Sequence, residues 1–195
     1  MAGHVDRQAA LTLSDGTPVD ATHGLPSTLA NTLDNTNDSI DVPLHTVRFA
    51  GNLGVTSGSA YATGQLLGLV QTFTGVVRNA GLGAVVDTIT LYDNSKQNAA
   101  VDVIFFNTAT ISTTYTDKAT LVIAASDVTA LAGHVSVLSA NYASFSANSI
   151  ATLTNVGLRL KPTPGTIGYV LLVCRGTPTY ANSTDLSLAI TLRQD

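Results

Sequence analysis

The sequence has no tryptophan and no glutamate; all 13 of its acidic residues are aspartate. Glutamate suits helix interiors, whereas aspartate competes for backbone hydrogen bonds at caps and turns. This choice of acid argues against a helical protein. The single cysteine, Cys174, excludes an intrachain disulfide and, lying in an apolar stretch, reads as a small buried hydrophobe. Charged residues make up only 11% of the chain, against about 25% in an average soluble domain. Thr, Ser, Asn, Ala and Gly take their place, as they do in tightly packed assembly subunits and in extracellular β-proteins. There is no basic stripe, which disfavours nucleic-acid binding. No run approaches the ~18 apolar residues of a membrane span. The opening MAGHVDRQ has no basic region followed by an apolar run, so no signal peptide is expected.

What is present is a set of short apolar runs between turn formers. Ile167–Cys174 is apolar on both alternations, as a strand buried on both faces reads. Leu186, Leu188, Ile190 and Leu192 then alternate with Ser187, Ala189, Thr191 and Arg193, the pattern of a strand with one solvated face. These two runs are either sheet neighbours or face each other across a sandwich. Further strands are expected at Thr46–Ala50, Gln65–Phe73, Ala84–Tyr92, Ala99–Phe106, Thr120–Ala125, His134–Ala140 and Ile150–Leu160. In Ala84–Tyr92 the residues Val85, Ile89 and Leu91 share a face on which Asp87 is an exception. Val101, Val103 and Phe105 oppose Ile104 and Phe106, which predicts a central strand covered on both sides. Ser126–Asp127 is a good N-cap pair and Gly133 a suitable C′ residue, so Asp127–Ala132 reads as one short helical turn.

About eight strands in this length, with at most one short helix, predict an all-β, antiparallel β-sandwich that is jelly-roll-like. An immunoglobulin-like sandwich is the alternative, though it lacks the Trp and the Cys pair. Residues 1–50 read as an extended N-terminal arm and 51–195 as the sandwich body. The chain's net charge of −4 lies wholly in the first 50 residues. Within the arm, Leu11, Leu13, Val19, Leu25, Leu29 and Leu33 recur singly among Asp, Thr, Asn, Gly and Pro. Spaced apolar residues of this kind are anchors suited to the surface of another subunit.

Residues that could carry chemistry are few. His4, His23, His45 and His134 do not stand at a metal-ligand spacing such as H-x-H. There is no G-x-S-x-G, and Gly81-Leu82-Gly83 lacks the rest of a phosphate loop. Asp34–Asp41 (DNTNDSID) offers oxygens to a hard cation but lacks the Gly and distal Glu of an EF-hand loop, and it reads as a solvated loop. Asn37-Asp38-Ser39 and Asn182-Ser183-Thr184 match the glycosylation sequon, which matters only in a eukaryotic secretory pathway. No catalytic residue, metal or cofactor is assigned. Tyr142, Phe145 and Tyr180 lie in polar loops and are candidate contacts, for instance for stacking on a sugar.

DGTPVDATHGLPSTL (15–29), GVVRNAGLGAVVDTITLYDNSKQNAAVDVIFFN (75–107) and RGTPTYANSTDLSLAITLRQD (175–195) cover about a third of the chain. Together they resemble virion structural proteins of tailed bacteriophages. The first is similar to the N-terminal G-x-P-V-D-x-T-x-x-L-P strands met in such proteins. The resemblance implies a non-enzymatic protein, most like a capsid decoration (cement) protein, assembled in the bacterial host cytoplasm. Such proteins are small β-domains, commonly homotrimeric, that grip the major capsid protein on the capsid surface with an extended arm. They bind neither nucleic acid nor membrane. A tail or baseplate component that recognises host-surface glycans is the alternative. A cupin-like enzyme is a third reading, weakened because only His134 lies near a predicted strand.

Overall fold

Strict alternation in the last strand shows how the sandwich is built. Leu186, Leu188, Ile190 and Leu192 are all buried, and each such side chain stabilises the fold by about 1.5–3 kcal/mol relative to exposure. Their strand can bury that face only against a second sheet. The computed structural model describes residues 45–108 and 115–195. The arm anchors Leu11 to Leu33, His4, His23 and the Asp34–Asp41 loop lie outside the described residues.

The described residues form nine strands: β1 (His45–Asn52), β2 (Gln71–Phe73), β3 (Ala84–Asp93), β4 (Val101–Phe106), β5 (Leu131–Val137), β6 (Tyr142–Ser144), β7 (Ser149–Leu160), β8 (Gly168–Cys174) and β9 (Leu186–Gln194). One sheet has the order β1-β9-β3-β7-β6, the other β2-β8-β4-β5, and every strand pairing is antiparallel. The chain crosses between the sheets so that the last strands, β8 and β9, insert beside the early ones. That is jelly-roll order. The expected β-sandwich is therefore present, and β8 and β9 face each other across it.

The main core joins Val103, Phe105 and Leu172 of one sheet to Ile89, Leu91 and Ile190 of the other. β4 is buried along its whole length, as its two apolar alternations require. Its second face, with Ile104 and Phe106, joins Leu171 and Val173 of β8 in a smaller cluster. Tyr115, Leu121, Ile123 and Ala130 cover that cluster from outside the sheet.

Several expectations are corrected. Thr46–Ala50 is part of β1, which pairs with β9 over His45–Asn52; the body therefore begins before residue 50. In Gln65–Phe73 only Gln71–Phe73 is strand, because the backbone turns at Gly68 (φ +76°). Thr120–Ala125 forms no strand; Thr120 makes one bridge to Gln65, and the segment instead lies over the smaller cluster. β5 begins at Leu131, so Gly133 is a strand residue paired with Phe105 rather than a helix stop. The helical turn shrinks to a 3-10 turn at Val128–Ala130 with no side-chain cap hydrogen bond, and a second stands at Ser139–Asn141. β6 had no signal in the alternation.

In β3 the register with β7 and β9 shifts between Val86 and Thr88. This β-bulge reverses the phase of the alternation. Ala84 and Val86 point inward before it, Ile89 and Leu91 after it, and Val85 falls on the opposite side. Asp87, at the bulge, is thereby freed from the core and meets Arg193 Nε at 3.0 Å.

Candidate functional site

The outward face of the four-stranded sheet carries an aspartate in an otherwise apolar strand. Asp102 of β4 lies opposite Ser136 of β5 and Val173 of β8, and Ile104 lies opposite His134. β8 ends at Cys174, so Arg175 emerges beside Asp102. Ser136 Oγ donates to Asp102 Oδ1 at 2.6 Å. Arg175 Nε donates to Oδ2 at 2.6 Å. Burial raises the Asp102 pKa. The Ser136 and Arg175 hydrogen bonds, with the positive charges of Arg175 and His134, outweigh it and hold the carboxyl below its ordinary range.

A cavity of about 250 Å³ opens beside this pair, lined by Asp102, His134 and Arg175 at one end and by Ile104, Leu121, Ile123 and Leu131 elsewhere. On the segment that covers this face, Val122 and Val128 are 67% and 54% exposed. The arrangement suits binding. Ser136 gives its hydroxyl hydrogen to Asp102, so serine, histidine and aspartate do not stand in the relay that activates a nucleophile. Among the described residues no three His, Cys or acidic side chains converge as metal ligands.

The three aromatic loop candidates do not form one surface. Tyr180 is buried in the main core, its ring edge-on to Tyr61 with centroids 6.1 Å apart. Its loop is drawn inward, with Gly58 N donating to Tyr180 O at 2.7 Å and Tyr61 N to Pro178 O at 2.9 Å. Tyr142 packs half-buried against the same core. Only Phe145 is exposed, and Lys96 Nζ donates to its carbonyl at 2.8 Å. Tyr180 is thus a packing residue, a correction to its reading as a loop contact, while Tyr142 stands half-buried in β6. His45 sits at the sheet edge, its Nδ1 2.7 Å from Gln194 Oε1. Cys174 is fully buried, and burial pushes its thiol up.

The Asp102–Arg175 pair escaped sequence reading because 73 residues separate its members. The available signal was an aspartate inside VDVIFF, a strand expected to be covered on both faces. Such a carboxylate needs a partner. No protein-family model, curated protein or solved structure matches the chain.

Proposed function

We propose that this chain is a non-enzymatic virion structural protein, a capsid decoration subunit that docks on the major capsid protein and reinforces the shell. The observation that carries this reading is the apolar outer face: Val122 and Val128 project into solvent beside the cavity lined by Leu121, Ile123 and Leu131. An apolar patch on a domain so poor in charge suits a protein partner. The three stretches that resemble tailed-phage virion proteins supply the identity of that partner, and the family's habit supplies the trimer. Repetition around a shell lets many weak contacts act together without a catalytic group. Of the three rings named for the glycan-binding alternative, Phe145 is exposed, Tyr142 half-buried and Tyr180 buried.

The test is reconstitution of the purified protein onto capsids that lack it, followed by cryo-electron microscopy. Density on the outer capsid surface, lost in a Val122→Asp/Val128→Asp variant of unchanged thermal stability, is the expected result. Density confined to the tail, or binding that ignores the double substitution, refutes the reading.

A further inference from the structure

We propose that the turn after β3 holds a hard cation of the Ca²⁺ class, coordinated by side-chain oxygens of Asp93, Asn98 and Ser149, with Asp185 adding charge. This site is independent of the docking face and of the virion reading.

Two buried carboxylates meet at this turn. Asp93 ends β3 and is wholly buried, and Asp185, just before β9, is little exposed but lies nearer the surface. Ser95 ties them together. Its N–H donates to Asp93 Oδ1 at 3.0 Å, and its hydroxyl donates to Asp185 Oδ2. Among the described residues neither aspartate forms an ion pair with Lys, Arg or His; the salt bridges engage Asp87, Asp102 and Asp195 instead. Backbone N–H groups of Ser95 and Asn98 hold Asp93, and those of Ala181 and Asn182 hold Asp185, but neither has the cation that ordinarily accompanies a buried charge.

The second observation is independent of the acids. Ser149 is the register partner of Asp93 across β3 and β7, so both side chains point into the same face. Directly opposite residues have Cβ atoms about 4.5–5.5 Å apart. Ser149 is fully buried, and its Oγ has no hydrogen-bond partner. Asn98 is held at the same carboxylate by its own N–H, which donates to Asp93 Oδ2 at 2.8 Å. Its Oδ1 is likewise buried without a partner. A hydroxyl could donate to the carboxylate, but an amide oxygen only accepts. Two unpartnered oxygens on residues that flank one carboxylate, one of them an amide oxygen that only accepts, suit an electropositive centre. Every donor is oxygen, the set that selects Ca²⁺ over Zn²⁺ or Cu²⁺.

The experiment uses the full chain, stripped with a chelator and titrated with Tb³⁺ as a Ca²⁺ surrogate. Tyr142 and Tyr180 lie near enough to feel the charge of Asp93, so excitation of tyrosine should sensitise Tb³⁺ emission, with Ca²⁺ competing. Binding of one ion per chain is expected, with a higher Tm in about 10 mM Ca²⁺, ample even for the weakest protein sites. Ser149→Ala should weaken binding at least about tenfold, or 1.4 kcal/mol. Asn98→Asp keeps a residue that tolerates the positive φ of 50° at this position and adds charge, so it should bind Ca²⁺ more tightly and depend on it more for stability. The proposal fails if Tm is the same in chelator and in Ca²⁺. It fails equally if Tb³⁺ emission survives Ser149→Ala unchanged, which marks ions held elsewhere, such as at the acidic N-terminal residues. A Ser149→Ala protein that is as stable as the parent in Ca²⁺ also overturns it.

Discussion

Arg175 reaches Asp102 with two nitrogens, Nε and Nη2, each 2.6 Å from the same oxygen, Oδ2. The two ends of the pair differ in exposure: the Asp102 side chain is 12% exposed and that of Arg175 47%. Solvent screens the arginine end, so Arg175→Gln should cost about 1–2 kcal/mol rather than the loss expected of a fully buried pair. Urea unfolding measures this directly. A change below about 0.3 kcal/mol would place the pair among inert surface contacts.

The same carboxylate sets an acid dependence. Asp102 is held below its ordinary range in the fold, so its contribution is fully present above the unfolded value, about pH 4. It is lost as pH falls through the depressed folded value. Asp102→Asn should therefore be less stable than the parent at pH 6, with the gap narrowing towards pH 2. A gap that widens with acid has the wrong sign for this account.

The tyrosines act at the other end of the pH scale. Tyr61, Tyr142 and Tyr180 are held above the ordinary phenol range, first by burial. For Tyr61 the hydrogen bond to Asp117 adds to this, and for the other two the negative charge of Asp93 does. The neutral phenol is the form the fold favours. Its contribution is intact below the unfolded value near pH 10 and is lost as pH rises above it. These three tyrosines should ionise only together with unfolding, which phenolate absorbance and circular dichroism followed against pH report side by side. Ionisation of all six without loss of structure would contradict their burial.

Gly68 is a position where no side chain fits. It stands at φ +76°, and a Cβ there would fall 2.1 Å from the Leu53 carbonyl oxygen. Its N–H is also held by Asp117 Oδ1 at 2.6 Å. Gly68→Ala should destabilise by about 3 kcal/mol or more, a fall of roughly 6–12 °C in Tm. A thermal melt within a degree or two of the parent would mean that this loop yields freely.

The two faces of β8 should respond alike. Leu172 packs in the main core and Leu171 in the smaller cluster beneath the segment that ends at Ala130. Each substitution to alanine is expected to cost about 2–5 kcal/mol. Were the outer face merely a wetted sheet surface, Leu171→Ala would cost well under 1 kcal/mol, so the pair of measurements tests the double cover.

Strand faces were largely legible because alternation is a local property of an extended chain. Leu186 to Leu192 could bury only as one face, and VDVIFF could only be a strand covered on both sides. The β3 pattern misled at Val85, since a bulge is dictated by the neighbouring strands and not by β3 itself. Tyr180 misled for a related reason. Its loop is polar in composition, but backbone hydrogen bonds to Gly58 and Tyr61 draw the ring into the core.

The sequence by itself determined the all-β class, most strand positions and which faces are apolar, through alternation and the choice of aspartate over glutamate. Only the tertiary structure decided the strand order, the phase of β3, the burial of Tyr180, the pairing of Asp102 with Arg175 and the gathering of Asn98 and Ser149 around Asp93. Each of these depends on which distant segments become neighbours, and local backbone preference carries no information about that.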